Sequence, residues 1–217
     1  GVGRVGQLRA SKDKIRAVFG ELRCMMQHEL VFASSGDEEQ DLEAALKLLV
    51  RERLLVVMNS EYALREDDVA VRHWETVASM FLPIVECYWA VAIQAQSVFS
   101  PCAEGVAGVS KAKASSKTLL TQLHGNIQTL HVLAHVVHAE AASTEMVANA
   151  LRFLQNQSLL EPHGGAAATS YSEFCTRDAA GLHKFVNALA VLRPPETGAC
   201  TLEQVATIIS ASASKLY

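Results

Sequence analysis

Helix breakers are scarce in this chain: five prolines and twelve glycines among 217 residues. That excludes collagen-like and Pro/Gly-rich low-complexity classes. Charge is sparse as well, 19% of residues against 50% hydrophobic, a balance that suits a folded core rather than a disordered chain. The net charge of −4 supplies no overall basic field to hold nucleic acid by phosphate neutralisation; only a local basic patch could do so. No Cys-x-x-Cys pair occurs. The five cysteines, Cys24, Cys87, Cys102, Cys175 and Cys200, are odd in number, which points to reduced, mostly structural thiols in an intracellular compartment. Long apolar runs are missing too. The most apolar stretch, MFLPIVECYWAVAI (80–93), is about 14 residues long and contains Glu86, whereas a membrane span needs roughly 20; it reads as a core helix. No signal peptide opens the chain, and its first residue is Gly rather than Met, so a piece of a longer protein is expected.

What is present is helical periodicity. Residues 11–27 read as a helix with Ser11 as N-cap, and HELVF (28–32) as a short extended piece. The acids of SSGDEEQ (34–40) suit a helix start. Apolar residues at 42, 45, 46, 49 and 50 then form one stripe. LLVVMNSEYALRE reads as strand, turn at Asn59-Ser60, and strand. Residues 68–99 form a long helical pattern that Pro83 should kink or split. The Ser/Ala/Gly/Lys-rich segment 100–117 reads as a flexible linker or loop between two halves of a single helical domain spanning 1–217. Helix resumes from about 117 to 141, and two more helices are expected at 178–192 and 201–216.

A weak internal repeat links QDLEAALKLLVRERLLVV (40–57) with TEMVANALRFLQNQSLLEP (144–162). Each is an amphipathic helix leading to a turn and a returning strand, EYALRE in the first and TSYSEF in the second. Helix plus hairpin is the second half of a winged-helix unit, although two unrelated amphipathic helices would also look alike. The expected fold class is therefore mainly α, a helical domain with two short β-hairpins and candidate winged-helix-like repeats.

Motifs with chemical content are few. GVGRVG (1–6) has the spacing of a dinucleotide-binding turn, but no strand precedes it and no alternating strand–helix pattern follows. HVLAHVVHAE (131–140) is richer. On a helix turning about 100° per residue, His124, His131, His135 and His138 fall within roughly 60° of each other. A pair at i and i+4 can share a metal ion, so His131, His135 and His138 are weak metal candidates. No His-Glu-x-x-His exists, and no Cys or Asp lies nearby to complete a ligand set. The expectation is no metal, no cofactor and no catalytic residue. "SKAKASSK" and the acidic clusters read as solvated surface. Trp89 follows an apolar run and shares a helix face with Val85 and Ile93, so its burial is expected. Glu86 lies to one side of that face. If buried, it needs a partner such as an Arg or a backbone N–H.

Taken in order, several segments resemble one family. MMQHELVF precedes an acidic turn and DLEAALKLLVRERLLVV; FLPIVECYWAVA follows, and then STEMVANALRFLQNQSLLE. This order resembles the C-terminal region of the glycerol-3-phosphate and dihydroxyacetone-phosphate acyltransferases, over roughly residues 15 to 190. The matching positions are Glu29 and Phe32, then Pro83, Glu86, Tyr88 and Trp89, then Asn149, Leu151, Leu154 and Leu159. The family's catalytic His-x-x-x-x-Asp is absent, since no histidine here has Asp five positions on. The nearest approach is His135 with Glu140. The phosphate-binding Phe-x-Glu-Gly-x-Arg and Arg-Arg motifs are absent as well.

The resemblance thus implies a noncatalytic C-terminal domain whose parent is an acyltransferase of glycerolipid or ether-lipid synthesis; whether this segment itself has any enzyme activity stays open. Its implied partner is the catalytic acyltransferase domain of the same parent chain. Acyl-CoA and a phosphorylated triose would bind only through that domain, and the parent could associate with a membrane surface. Pro83, Glu86, Tyr88 and Trp89 are the candidate interface or core anchors. Ser214-Lys215-Leu216 has the composition of a peroxisomal address, although Tyr217 follows it; an intracellular site at a peroxisome-like organelle is the expectation. The alternative is a winged-helix-like interaction module unrelated to acyl transfer.

Overall fold

In the computed structural model, the described residues are 9–30, 37–65, 67–98, 116–163, 173–193 and 207. The expected helix at 201–216 therefore lies outside the described residues, apart from Thr207. The chain is mainly helical with short antiparallel strands. It divides into two compact units, Gly1–Phe81 and Leu82–Tyr217. The division falls inside a helix, while the segment read as a linker lies outside the described residues up to position 115.

In the first unit, strand β1 (Arg9–Ser11) leads into α1 (Lys12–Met26). The Ser11 hydroxyl accepts from the Lys14 N–H, as an N-cap should. Beyond α1 the expected extended piece is a turn as far as it is described: the amides of Glu29 and Leu30 both donate to the Met26 carbonyl. Those bonds satisfy an orphan carbonyl at the helix end, which is why the chain bends there instead of extending. Helix α2 (Glu38–Arg51) starts at Asp37, whose carboxylate accepts from the amides of Glu39 and Gln40. The hairpin β2 (Leu55–Met58) and β3 (Glu61–Leu64) turns at Asn59 and Ser60, whose φ values of 52° and 66° suit a two-residue hairpin turn. Strand β1 adds to β3, giving the order β1-β3-β2. Leu42, Leu46 and Leu55 form the core, with Ile15, Phe19, Tyr62 and Trp74 packed around them.

Helix α3 (Asp68–Val98) begins in this unit and ends in the next. Pro83 lies inside it, yet the helix is continuous and is not split. An internal proline costs about 3 kcal/mol. Every residue from 83 to 95 is buried, and burial of Ile84, Val85, Tyr88 and Trp89 alone outweighs that cost at about 1.5–3 kcal/mol per large apolar side chain. By length and composition α3 could cross a membrane, but this stretch of it lines a protein core.

The second unit repeats the plan. Helix α4 (Ser116–Val132) is followed by a 3-10 turn (Ala139–Ala142), α5 (Thr144–Asn156), strands β4 (Leu160–His163) and β5 (Glu173–Thr176), and α6 (Ala179–Leu192). The returning strand is described from Glu173; residues 169–172 of the TSYSEF segment lie outside the described residues. The repeat is supported bond by bond. After α2, the amide of Arg53 donates to Val50 and that of Leu54 to Leu49; after α5, Ser158 donates to Gln155 and Leu159 to Leu154. Arg53 and Ser158 have φ values of 59° and 55°, so each helix ends in the same left-handed C-terminal motif. After the hairpins, Arg65 N–H donates to the Leu54 carbonyl and Arg177 N–H to the Leu159 carbonyl. Asp67 then caps α3 through Ala70 N–H, and Asp178 caps α6 through Gly181 N–H. The counterpart of Ala70 is Gly181, where a Cβ would clash with the capping Asp178 carboxylate and come within 2.9 Å of Leu159 Cδ2.

The acids of α2 are committed inside the first unit. Glu39 takes Arg16 at 2.5 Å and Lys12 at 2.8 Å, while Arg23 reaches Glu38 and Asp41. Hydrogen bonds from Arg16 and then Lys12 lower the Glu39 pKa to about 2. Because the folded value lies below the ordinary one, this ion cluster contributes in full above about pH 4.5 and is lost as pH falls through about 2. A carboxyl-carbon NMR titration is expected to find Glu39 still ionised at pH 3; a midpoint near its ordinary value would mean that the cluster does not persist in solution.

Candidate functional site

The second unit contains a fully buried acid. Glu86 is 0% exposed on α3, and its two oxygens are committed to one loop. One accepts the Val137 amide at 2.8 Å; the other accepts the His138 amide and the His138 ring Nδ1, both at 2.9 Å. A carboxylate in an apolar interior requires such donors. The partners found are two backbone N–H groups and a histidine, and no arginine is needed.

The loop that meets Glu86 is where the sequence expectation fails. Helix α4 stops at Val132, not near residue 141, so the four histidines do not form one helical stripe. Ala134 has φ of 59°; its amide donates to the His131 carbonyl and that of His135 to the Leu130 carbonyl, the same left-handed ending as in α2 and α5. No glycine marks it in the sequence. Each histidine then takes its own role. The His131 Nδ1 lies 2.9 Å from the Val136 carbonyl. A carbonyl only accepts, so His131 holds its proton on that nitrogen. His138 faces Glu86. The His135 carbonyl accepts from the Arg193 guanidinium. His124 pairs with Gln128 on α4.

Arg193, just beyond α6, closes the group from another side. Its guanidinium carbon sits 3.4 Å from the Trp89 ring centroid, a cation–π stack. Trp89 is 1% exposed, and Tyr88 and Pro83 are buried too. Tyr88 packs against Phe153, and Phe153 against Phe185. Tyr88 and Trp89 are thus embedded in the core of this unit, with Leu154 and Leu160 also fully buried there. Asn149, Leu151, Leu154 and Leu159 are likewise buried, with Asn149 accepting from Arg152. Phe32 lies outside the described residues.

Sequence reasoning reached Glu86 and Trp89 but missed Arg193. A lone arginine before Pro-Pro carries no signal that it stacks on a tryptophan about a hundred positions earlier.

Chemically, the Glu86–His138 pair can hold an imidazole in one orientation. Among the described residues no nucleophile is hydrogen-bonded to it. Among the described residues no group of three His, Cys, Asp or Glu side chains converges to hold a metal ion. A shallow cleft of about 240 Å³ lies instead in the first unit, between Glu52, Arg53, Arg65, Asp67 and His73, where acids and bases nearly balance. His135 and Glu140 sit in a loop and a 3-10 turn respectively, so they do not reproduce a His–Asp pair spaced along one helix. The arrangement around Glu86 is a clasp that holds a loop.

A family model described as glycerol-3-phosphate acyltransferase C-terminal region matches residues 6–163. A search of curated proteins gave no match.

Proposed function

This chain belongs to the family of glycerol-3-phosphate acyltransferase C-terminal regions, and we propose that it is the noncatalytic C-terminal domain of an enzyme that transfers an acyl group from acyl-CoA to glycerol-3-phosphate or dihydroxyacetone phosphate, in glycerolipid or ether-lipid synthesis. It is an acyltransferase-associated domain, and its family implies a catalytic domain in the same chain. The family match carries this reading. The chain's own residues agree with it: none of its histidines has Asp five residues on, and the buried acid and two histidines of the second unit are spent on holding a loop. Acyl donor and phosphorylated acceptor are assigned to the catalytic domain. So is contact with a membrane surface. Placement at a peroxisome-like organelle rests on Ser214-Lys215-Leu216 alone.

The repeated helix–hairpin units favour a second reading, a winged-helix-like interaction module. In such a unit α2 would be the helix offered to a partner. Its first turn carries Glu38, Glu39 and Asp41, which take up Lys12, Arg16 and Arg23 and leave those cations unavailable to phosphates, so this reading takes a protein partner and no nucleic acid. The two readings separate on the sequence encoded upstream of Gly1. The first requires His-x-x-x-x-Asp there, in a chain that acylates one of the two acceptors. An upstream region without that motif and without acyl transfer leaves the second.

A further inference from the structure

The loop clasped by Glu86 faces apolar groups outward. Val132 and Leu133 are 82% and 49% exposed and Val137 43%, while Val191 and Leu192 at the end of α6 are 83% and 39% exposed. The Arg193–His135 hydrogen bond ties these two segments together. A loop needed only to end a helix would turn such side chains inward. Here polar groups hold the backbone from inside: Glu86 on two amides, the His131 ring on Val136, and Arg193 on His135.

We propose that this surface, Val132, Leu133 and Val137 with Val191 and Leu192, is where the domain docks on the catalytic domain of its own chain, with Glu86 as the positioning residue that pre-shapes the loop. The inference rests on the function proposed above. Two observations choose this occupant. Residues 130–139 and 185–192 contain no Lys, Arg, Asp or Glu, so the surface offers nothing to anionic lipid headgroups, which are held by clustered Lys and Arg. Five partly exposed Val and Leu side chains also fall short of the ~800 Å² per partner that a stable dimer buries. They suit the smaller interfaces between domains of one chain, where the tether supplies a high effective concentration. A loop already fixed in shape loses little freedom on docking.

The test is hydrogen exchange across residues 131–138 in the full parent acyltransferase and in the 217-residue chain, each with and without the paired substitutions Val132→Lys and Val191→Lys. Both positions are exposed ends of helices, where a cation complements the helix dipole, so the chain itself should melt as wild type. Exchange in the parent is expected to be at least about tenfold slower than in the chain alone, the effect of about 1.4 kcal/mol, and the paired substitutions should abolish that difference. Should the pair unfold the chain, Val191→Lys alone carries the same test. Equal exchange in parent and chain would overturn the proposal. So would self-association of the chain that the substitutions remove, or wild-type binding to phosphatidylserine vesicles that they remove. A parent without acyl transfer but with the exchange difference intact would defeat the functional reading and leave this docking surface standing.

Discussion

Replacing Glu86 with alanine is expected to destabilise the protein by about 2–6 kcal/mol, from two backbone donors left without an acceptor at about 1–3 kcal/mol each. The carboxylate is fully enclosed and serves three donors on the 133–138 loop. Removing it leaves the Val137 and His138 amides without their acceptor and opens a space inside the second unit. Glu86→Gln has nearly the same shape and separates the two effects. Its carbonyl can still accept one amide, but its NH2 group would face a donor, so a loss of about 1–3 kcal/mol is expected. Urea unfolding of the three proteins gives both numbers. Losses below about 1 kcal/mol for both variants would mean that solvent satisfies the loop amides as well as Glu86 does.

Trp89→Ala is expected to cost about as much, roughly 3–5 kcal/mol for a buried tryptophan, out of the 5–15 kcal/mol that holds a typical domain together. Trp89 is 1% exposed and lies under the Arg193 guanidinium, so truncation also strips a nearly buried cation of its aromatic face. An unstable or insoluble chain is the expected outcome. Wild-type thermal stability in Trp89→Ala would mean that Trp89 is not a core residue. If such a variant also failed to join its catalytic domain, Trp89 would belong to an interface instead.

Periodicity made most elements legible. Ser11 caps α1, four of the five stripe positions (42, 46, 49 and 50) face the first core while Ala45 is exposed, and Asn59-Ser60 turns the first hairpin, because each is a local preference acting over a few residues. The internal similarity between 40–57 and 144–162 also reflects a structural repeat, down to matched carbonyl acceptors at Leu54 and Leu159. The histidine stripe misled for an equally physical reason. Periodicity continues through residues 133–138, but Ala134 adopts a left-handed conformation that alanine rarely takes; the turn closes on the His131 and Leu130 carbonyls, and the loop that follows is tied down by Glu86 and Arg193, far away in sequence. A helix end fixed by tertiary contacts leaves no local mark. Pro83 did not split the helix: a strong local breaker is tolerated where every residue from 83 to 95 is buried.

Of the candidate site, Glu86 was legible as an acid inside an apolar run, and so was its need for donors. The identity of those donors was not, because they lie 51 and 52 residues further on.

The central claim, that this domain serves an acyltransferase without performing the chemistry, is tested most directly by incubating the 217-residue chain with acyl-CoA and either glycerol-3-phosphate or dihydroxyacetone phosphate and measuring product. The account predicts no turnover above the uncatalysed background. Turnover that disappears in His135→Ala would contradict it, because it would make the HVVHAE segment a catalytic site rather than a clasped loop.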